Sequence, residues 1–162
     1  MDYLEAGADI RGRRRQYRYA LWRIWDRSLP AVMFIGLNPS TADARRDDPT
    51  LVRCIGFATD WGYGGVYTAN LFAYRATDPR DMKAAKSPVG PANNEVILSL
   101  VARVDKVIAA WGNDGAWLAR DAQVRALLPE LHYLKMNRSG QPAHPLYLPK
   151  GLQPRPWLTP VK

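Results

Sequence analysis

Three side chains stand where chemistry on a small polar ligand would need them. Asn38 lies in Gly36-Leu37-Asn38-Pro39-Ser40, where a glycine permits tight backbone passage and a proline stiffens the loop around one amide. An amide held that firmly can position a water or a ligand atom. His144, between Gln141-Pro142-Ala143 and Pro145, is a stiffened imidazole able to stabilise negative charge growing on a leaving group. Asn70 closes an apolar run and offers both a donor and an acceptor, the pair needed to read the hydrogen-bonding edge of a pyrimidine. Tyr74 could stack on a base and Arg75 could take a phosphate, although each reads equally well as an ordinary surface residue. Among the acids after Ser40, Asp48 is read as a helix cap, which leaves Asp43 and Asp47 as candidates for activating water. Taken alone, Asn38-Pro39 is also plain turn chemistry and His144 also a loop histidine satisfied by backbone, so these residues gain meaning only as a set.

The elements around them supply that set. Tyr17 to Trp25 alternates like a strand, and Val32-Met33-Phe34-Ile35 is a short apolar run of the buried parallel type. Pro49 suits the first turn of a helix whose apolar face is Leu51, Ile55, Ala58 and Trp61, ended by Gly62. Val66-Tyr67-Thr68-Ala69 is the next strand, and the prolines between Phe72 and Pro91 predict a long loop without regular structure. A helix from about 91 to 104, a strand over Lys106 to Ala110, a helix from Ala116 to Leu128 and a short strand at Leu131 to Leu134 follow. His132, inside that last strand, reads as structural. The expected fold is α/β, a three-layer α/β/α arrangement with a central four-stranded parallel sheet and the Tyr17 strand as its added edge. In such sheets ligands sit beyond the carboxyl ends of the strands. Asn38, Asn70, Trp111 and His144 each fall just after a predicted strand, so they are expected to converge on one rim.

Length and composition bound the rest. A chain of 162 residues fits one domain, expected over 17–150, preceded by a flexible basic arm at 1–16 and followed by a proline-rich extended tail at 151–162. No apolar run approaches the ~20 residues of a membrane span, and the acidic then basic N-terminus does not resemble a signal peptide. A cytoplasmic, monomeric protein with no membrane association is expected. The single cysteine, Cys54, excludes an internal disulfide and any multi-thiolate cluster, and with only two histidines no metal or organic cofactor is expected. A formal charge of +8 suits a polyanionic partner such as DNA, although plain solubility charge is the other reading.

In order and type these motifs resemble the uracil-DNA glycosylase superfamily over roughly residues 32–150. Gly36 to Ser40 matches its Gly-x-Asn-Pro-Gly/Ser loop, and Tyr67-Thr68-Ala69-Asn70 looks like the strand whose last asparagine contacts the flipped base. The strand ending at Trp111-Gly112 is similar to its third element. His144-Pro145-Leu146-Tyr147 matches its His-Pro-Ser-x loop, except that Leu146 replaces the serine. The chain also resembles an uncharacterised bacterial and phage family sharing Leu-Asn-Pro-Ser, Asn-Leu-Phe-Ala and His-Pro-Leu-Tyr. The resemblance implies excision of a damaged or modified base from DNA by hydrolysis of the N-glycosidic bond. Asn38 would orient water with help from Asp43, Asn70 would read the base, and His144 would stabilise the departing anion. Gly36, Leu37, Pro39, Ser40, Tyr74 and Trp111 would shape the base pocket. Leu146 or Tyr147 would wedge into the vacated stack, with Arg75, Arg138 and Ser139 contacting nucleic acid. Two departures stand out: Asn38 occupies the place of the water-activating aspartate of the most active members, and the base-stacking aromatic falls near Leu51. Binding without catalysis, or action on a free nucleoside or nucleotide, are the alternatives.

Overall fold

A computed structural model describes residues 2–158. The chain builds a mixed α/β fold on one seven-stranded sheet: β1 (Glu5–Arg11), β2 (Tyr17–Ile24), β3 (Ala31–Gly36), β4 (Gly65–Asn70), β5 (Lys106–Ala109), β6 (His132–Tyr133) and β7 (Arg155–Pro156). Their spatial order is β1-β2-β4-β3-β5-β6-β7. β3 runs parallel to β4 and β5, and β6 parallel to β5, while β1, β2 and β7 join antiparallel.

Strand β3 lies in the middle because Val32, Met33, Phe34 and Ile35 bury both faces. Its alternating side chains divide two cores. Met33 and Ile35 pack with Ala69, with Ile97 and Leu100 of α3 (Asn93–Val101), and with Val124 of α4 (Arg120–Leu127). Val32 and Phe34 pack instead with Val66, Ile108 and the Leu51, Cys54 and Ala58 face of α1 (Pro49–Asp60). Asp48 caps α1 by accepting from the Leu51 amide at 2.8 Å, and Pro49 fills the first turn, where a missing N–H is harmless.

Several expectations need correction. The sheet is larger than expected and mixed: β4, β3, β5 and β6 run parallel, but three strands joined antiparallel flank them, β1 and β2 on one side and β7 on the other, instead of one edge strand. Residues 5–11 are not a free arm but strand β1, so the Tyr17 strand lies inside the sheet. No residue of β1 is fully buried, so the strand needs no apolar alternation, and Gly7 is small because the Trp22 indole lies where a Cβ would be, 2.3 Å away. The proline loop contains a short helix, α2 (Pro79–Ala84), begun by Asp78 as cap and Pro79 in its first turn. The tail is partly ordered as β7; residues 159–162 of it lie outside the described residues. The helix expected over 116–128 is a 3-10 segment (Asn113–Ala119) that kinks into α4 through Leu118 and Ala119, both left-handed at φ 55° and 53°. Among the described residues, no helix is long and apolar enough to cross a membrane.

Candidate active site

The carboxyl ends of β3, β4 and β5 open into a cavity of about 420 Å³ on the α1 side of the sheet. Gly36, Leu37, Asn38, Ser40, Asn70, Trp111, His144 and Leu146 all line it, so the structure brings most of the expected rim together. Phe34, Leu51 and Cys54 make an apolar floor. Pro39 is buried just behind.

Each polar wall is held by its own lacing. The loop after β3 and the segment after β4 exchange bonds: Leu71 N–H donates to Gly36 O at 2.9 Å, Phe72 N–H to Leu37 O at 3.0 Å, and Ala76 N–H to Pro39 O at 2.9 Å. Asn38 Nδ2 donates to Ala76 O at 2.8 Å, which fixes the amide across the gap between the two loops. Gly36 pairs with Asn70 across β3 and β4, and a Cβ on Gly36 would lie 2.9 Å from Asn70 Oδ1. The glycine therefore lets the buried Asn70 amide lie against the strand end. Behind Asn70, Asn93 Nδ2 donates to Asn70 O at 2.9 Å and Leu71 O at 3.0 Å, and the buried Arg120 donates to Leu71 O at 2.8 Å. Asn93 and Arg120 are positioning residues that sequence reading missed.

His144 Nδ1 accepts from the Leu146 amide at 3.2 Å, so the neutral ring carries its proton on Nε2. Burial lowers its pKa, a trend that Asp48 partly opposes, and the ring is therefore neutral at pH 7. Burial pushes the Cys54 thiol far up, which leaves it protonated and no nucleophile. Arg18 also lines the cavity; burial pulls its pKa down to about 10, so it stays charged at neutral pH.

Other expected site residues lie elsewhere. Asp43 is not in the cavity wall: its carboxylate accepts from the Arg45 and Arg46 amides at 2.9 Å each, and these bonds hold its pKa low. Asp48 is the acid that does line the cavity, together with Asp114. Asp47 pairs with Arg23 at 3.0 Å. Tyr74 packs into the opposite core, edge-on to Tyr17 at 6.2 Å, because the chain after β4 continues alongside the start of β2, where Tyr74 and Tyr17 form an antiparallel bridge. Arg75 donates to Arg15 O at 3.2 Å outside the lining, though near enough to Arg18 to lower its pKa. Tyr147 is 89% exposed beside the rim. Arg138 and Ser139 are exposed on a turn that braces the wall, Ser139 Oγ donating to Asn113 Oδ1 at 2.6 Å. Trp111, by contrast, lines the cavity as expected, as a buried wall whose Nε1 donates to Gln141 Oε1 at 2.8 Å. No group of three or more His, Cys, Asp or Glu among the described residues could hold a metal ion.

The histidines make a pH prediction. Burial lowers the pKa of both His132 and His144, so the folded chain holds fewer protons than the unfolded one just below 6.5. Their contribution is complete above pH 6.5 and is lost as pH falls toward the folded values. The carboxylates with depressed pKa values, Asp26, Asp43 and Asp78, act only near and below 3.8 and do not confuse this window. The urea midpoint is expected to fall between pH 7.5 and 5.0, and His144→Gln to flatten that fall. A midpoint that rises on acidification contradicts the assignment.

A family described as "Protein of unknown function (DUF1643)" matches residues 18–146, a span that runs from Arg18 to Leu146, both in the cavity wall. No curated protein and no solved structure matches the chain.

Proposed function

Given that the chain belongs to the DUF1643 family, proteins of unknown function, we propose from its site that it is a DNA glycosylase-like N-glycosidase, related to the uracil-DNA glycosylase superfamily, that excises a damaged or modified base. The observation that supports this reading best is the convergence of Asn38, Asn70 and His144 on one base-sized cavity with an apolar floor. A nucleotide flipped out of DNA would place its base against Phe34 and Leu51, with the Asn70 amide on the base's polar edge. Water held by Asn38 adds at C1′ of the sugar, and the bond from C1′ to the base nitrogen breaks. The base leaves with the electron pair, and His144 Nε2–H donates a hydrogen bond to the anion. A neutral donor suits this task, since the charge it meets develops only in the transition state. Because Asp43 points away from the cavity, Asp48 is the acid placed to receive the water's proton. DNA-strand contact falls to Leu146, the exposed Tyr147 and the surplus of Lys and Arg, 23 against 15 acids. Residues 32–150 would then share the superfamily's parallel-sheet layout, carried out in a cytoplasmic, monomeric base-excision protein.

One observation favours binding without turnover as a second reading. Asp48 already accepts from Leu51 N at 2.8 Å and from Ala42 N at 3.4 Å, so both of its carboxylate oxygens are engaged in holding the loop and the helix cap.

The test is a mass-spectrometric screen for bases released from oligonucleotides carrying uracil, hypoxanthine, hydroxymethyluracil and bulkier modifications. Release of at least one free base, with an abasic site left in the strand, is expected. Salt-dependent binding with no base released from any strand would favour the second reading and overturn the first.

A further inference from the structure

The base-pocket reading leaves one cavity group unused. Arg18 is 5% exposed, and its Nη1 donates to Ala42 O at 2.8 Å. Its Nε is buried with no hydrogen-bond partner, and no carboxylate among the described residues forms an ion pair with it. Nη2 likewise makes no hydrogen bond, so the Nε and Nη2 edge of the guanidinium, the edge suited to two parallel hydrogen bonds, has no partner among the described residues. On the adjoining strand β4, Thr68 lines the same cavity, and its Oγ1 is also buried without a partner. Unpaired buried polar groups are rare and costly, and two of them on residues that line one cavity point to acceptors supplied by its occupant.

The occupant's chemistry follows from the charges. Of the two carboxylates in the lining, Asp114 is paired with Lys83 at 3.1 Å, which leaves Asp48 to balance Arg18, so a phosphate would meet no net positive field. A neutral, flat ligand with two adjacent acceptors fits better. We infer, on the reading of this cavity as a base pocket, that the base it takes is a 6-oxopurine such as hypoxanthine or guanine. O6 and N7 of such a base accept side by side from Arg18, and Thr68 Oγ1 completes the polar edge. Adenine would turn an amino donor toward the guanidinium, and a pyrimidine has no N7.

The test is titration calorimetry of the full chain with free hypoxanthine, adenine, uracil and inorganic phosphate. Hypoxanthine is expected to bind about tenfold or more tightly than adenine or uracil, the discrimination a bidentate arginine contact gives. Arg18→Lys keeps the charge but loses the fork, and is expected to erase the preference; Thr68→Val is expected to weaken hypoxanthine binding a few-fold. If Arg18→Lys does not fold, the preference of the unmodified protein and Thr68→Val decide the matter. Equal binding of all bases, a preference for uracil, or Arg18-dependent phosphate binding without base discrimination overturns the inference. Release of uracil from oligonucleotides without purine preference would overturn it and leave the N-glycosidase reading standing. Purine binding with no release from any strand would do the reverse.

Discussion

His144→Ala is expected to slow base release about 10²- to 10³-fold, the loss typical of removing one preorganised donor from developing negative charge. The geometry makes the assignment specific. With Nδ1 occupied by the Leu146 amide at 3.2 Å, only Nε2 is left to donate, and burial keeps the ring neutral. His144→Gln, which restores an N–H at the end of a longer side chain, is expected to recover part of the rate. Single-turnover release from the best oligonucleotide of the screen, with a melting curve on each variant, is the measurement. A folded alanine variant at full rate would remove His144 from the mechanism. Asn38→Ala should be as damaging for a different reason, because it removes the water's anchor and also the 2.8 Å tie to Ala76 O. That tie also accounts for an amide at this position. An aspartate there would set a carboxylate against the Ala76 carbonyl, so the loop closure and the water-activating acid compete for one residue.

Much of this site was legible in the chain because it rests on strand ends. Continuous apolar runs located β3, β4 and β5, and residues just past a parallel strand must gather at one edge of the sheet. Asn38, Asn70, Trp111 and His144 were therefore placed together without knowledge of strand order. What the chain concealed depends on pairing. β2 carries a bulge: Asp9 faces Ala20 and Ile10 faces Arg18, so Tyr19 has no partner on β1. The extra residue inverts the alternation, and Arg18 comes to the same side as Leu21 and the cavity instead of Ala20 and Trp22. Reading 1–16 as a basic arm and Tyr17 to Trp25 as a regularly alternating strand could not anticipate the bulge that buries Arg18. Asp43 was misplaced similarly, since its Asx-type bonds to Arg45 and Arg46 turn the carboxylate toward its own loop. A feature that sequence alone does offer is a second arginine, Arg23, in an otherwise apolar strand. Such a residue is affordable only when bonded.

Arg23→Met is expected to destabilise the fold by about 3 kcal/mol, because it strips a fully buried hub while keeping the apolar stem. Arg23 is 1% exposed and donates to the Asp47 carboxylate at 3.0 Å, to Trp22 O at 2.9 Å, to Arg46 O at 3.3 Å, and to Asp43 O. These partners lie on the segment between Ser40 and α1 that also supplies Ala42, the anchor of Arg18, and Asp48, the cap of α1. One face of β2 thus pins the loop that closes the cavity, with Arg23 at its outer end and Arg18 at its inner end. For a domain of this size the loss corresponds to roughly 6–12 °C in melting temperature. Asp47→Asn is the control: Asp47 is 30% exposed in its side chain, the carbonyl bonds to Arg23 remain, and a loss under about 1 kcal/mol is expected. Ligand binding through Arg18 should weaken in Arg23→Met and not in Asp47→Asn, since only the first frees the loop carrying Ala42. A melting point within about 2 °C of the unmodified chain would show that the loop is held by something other than this arginine.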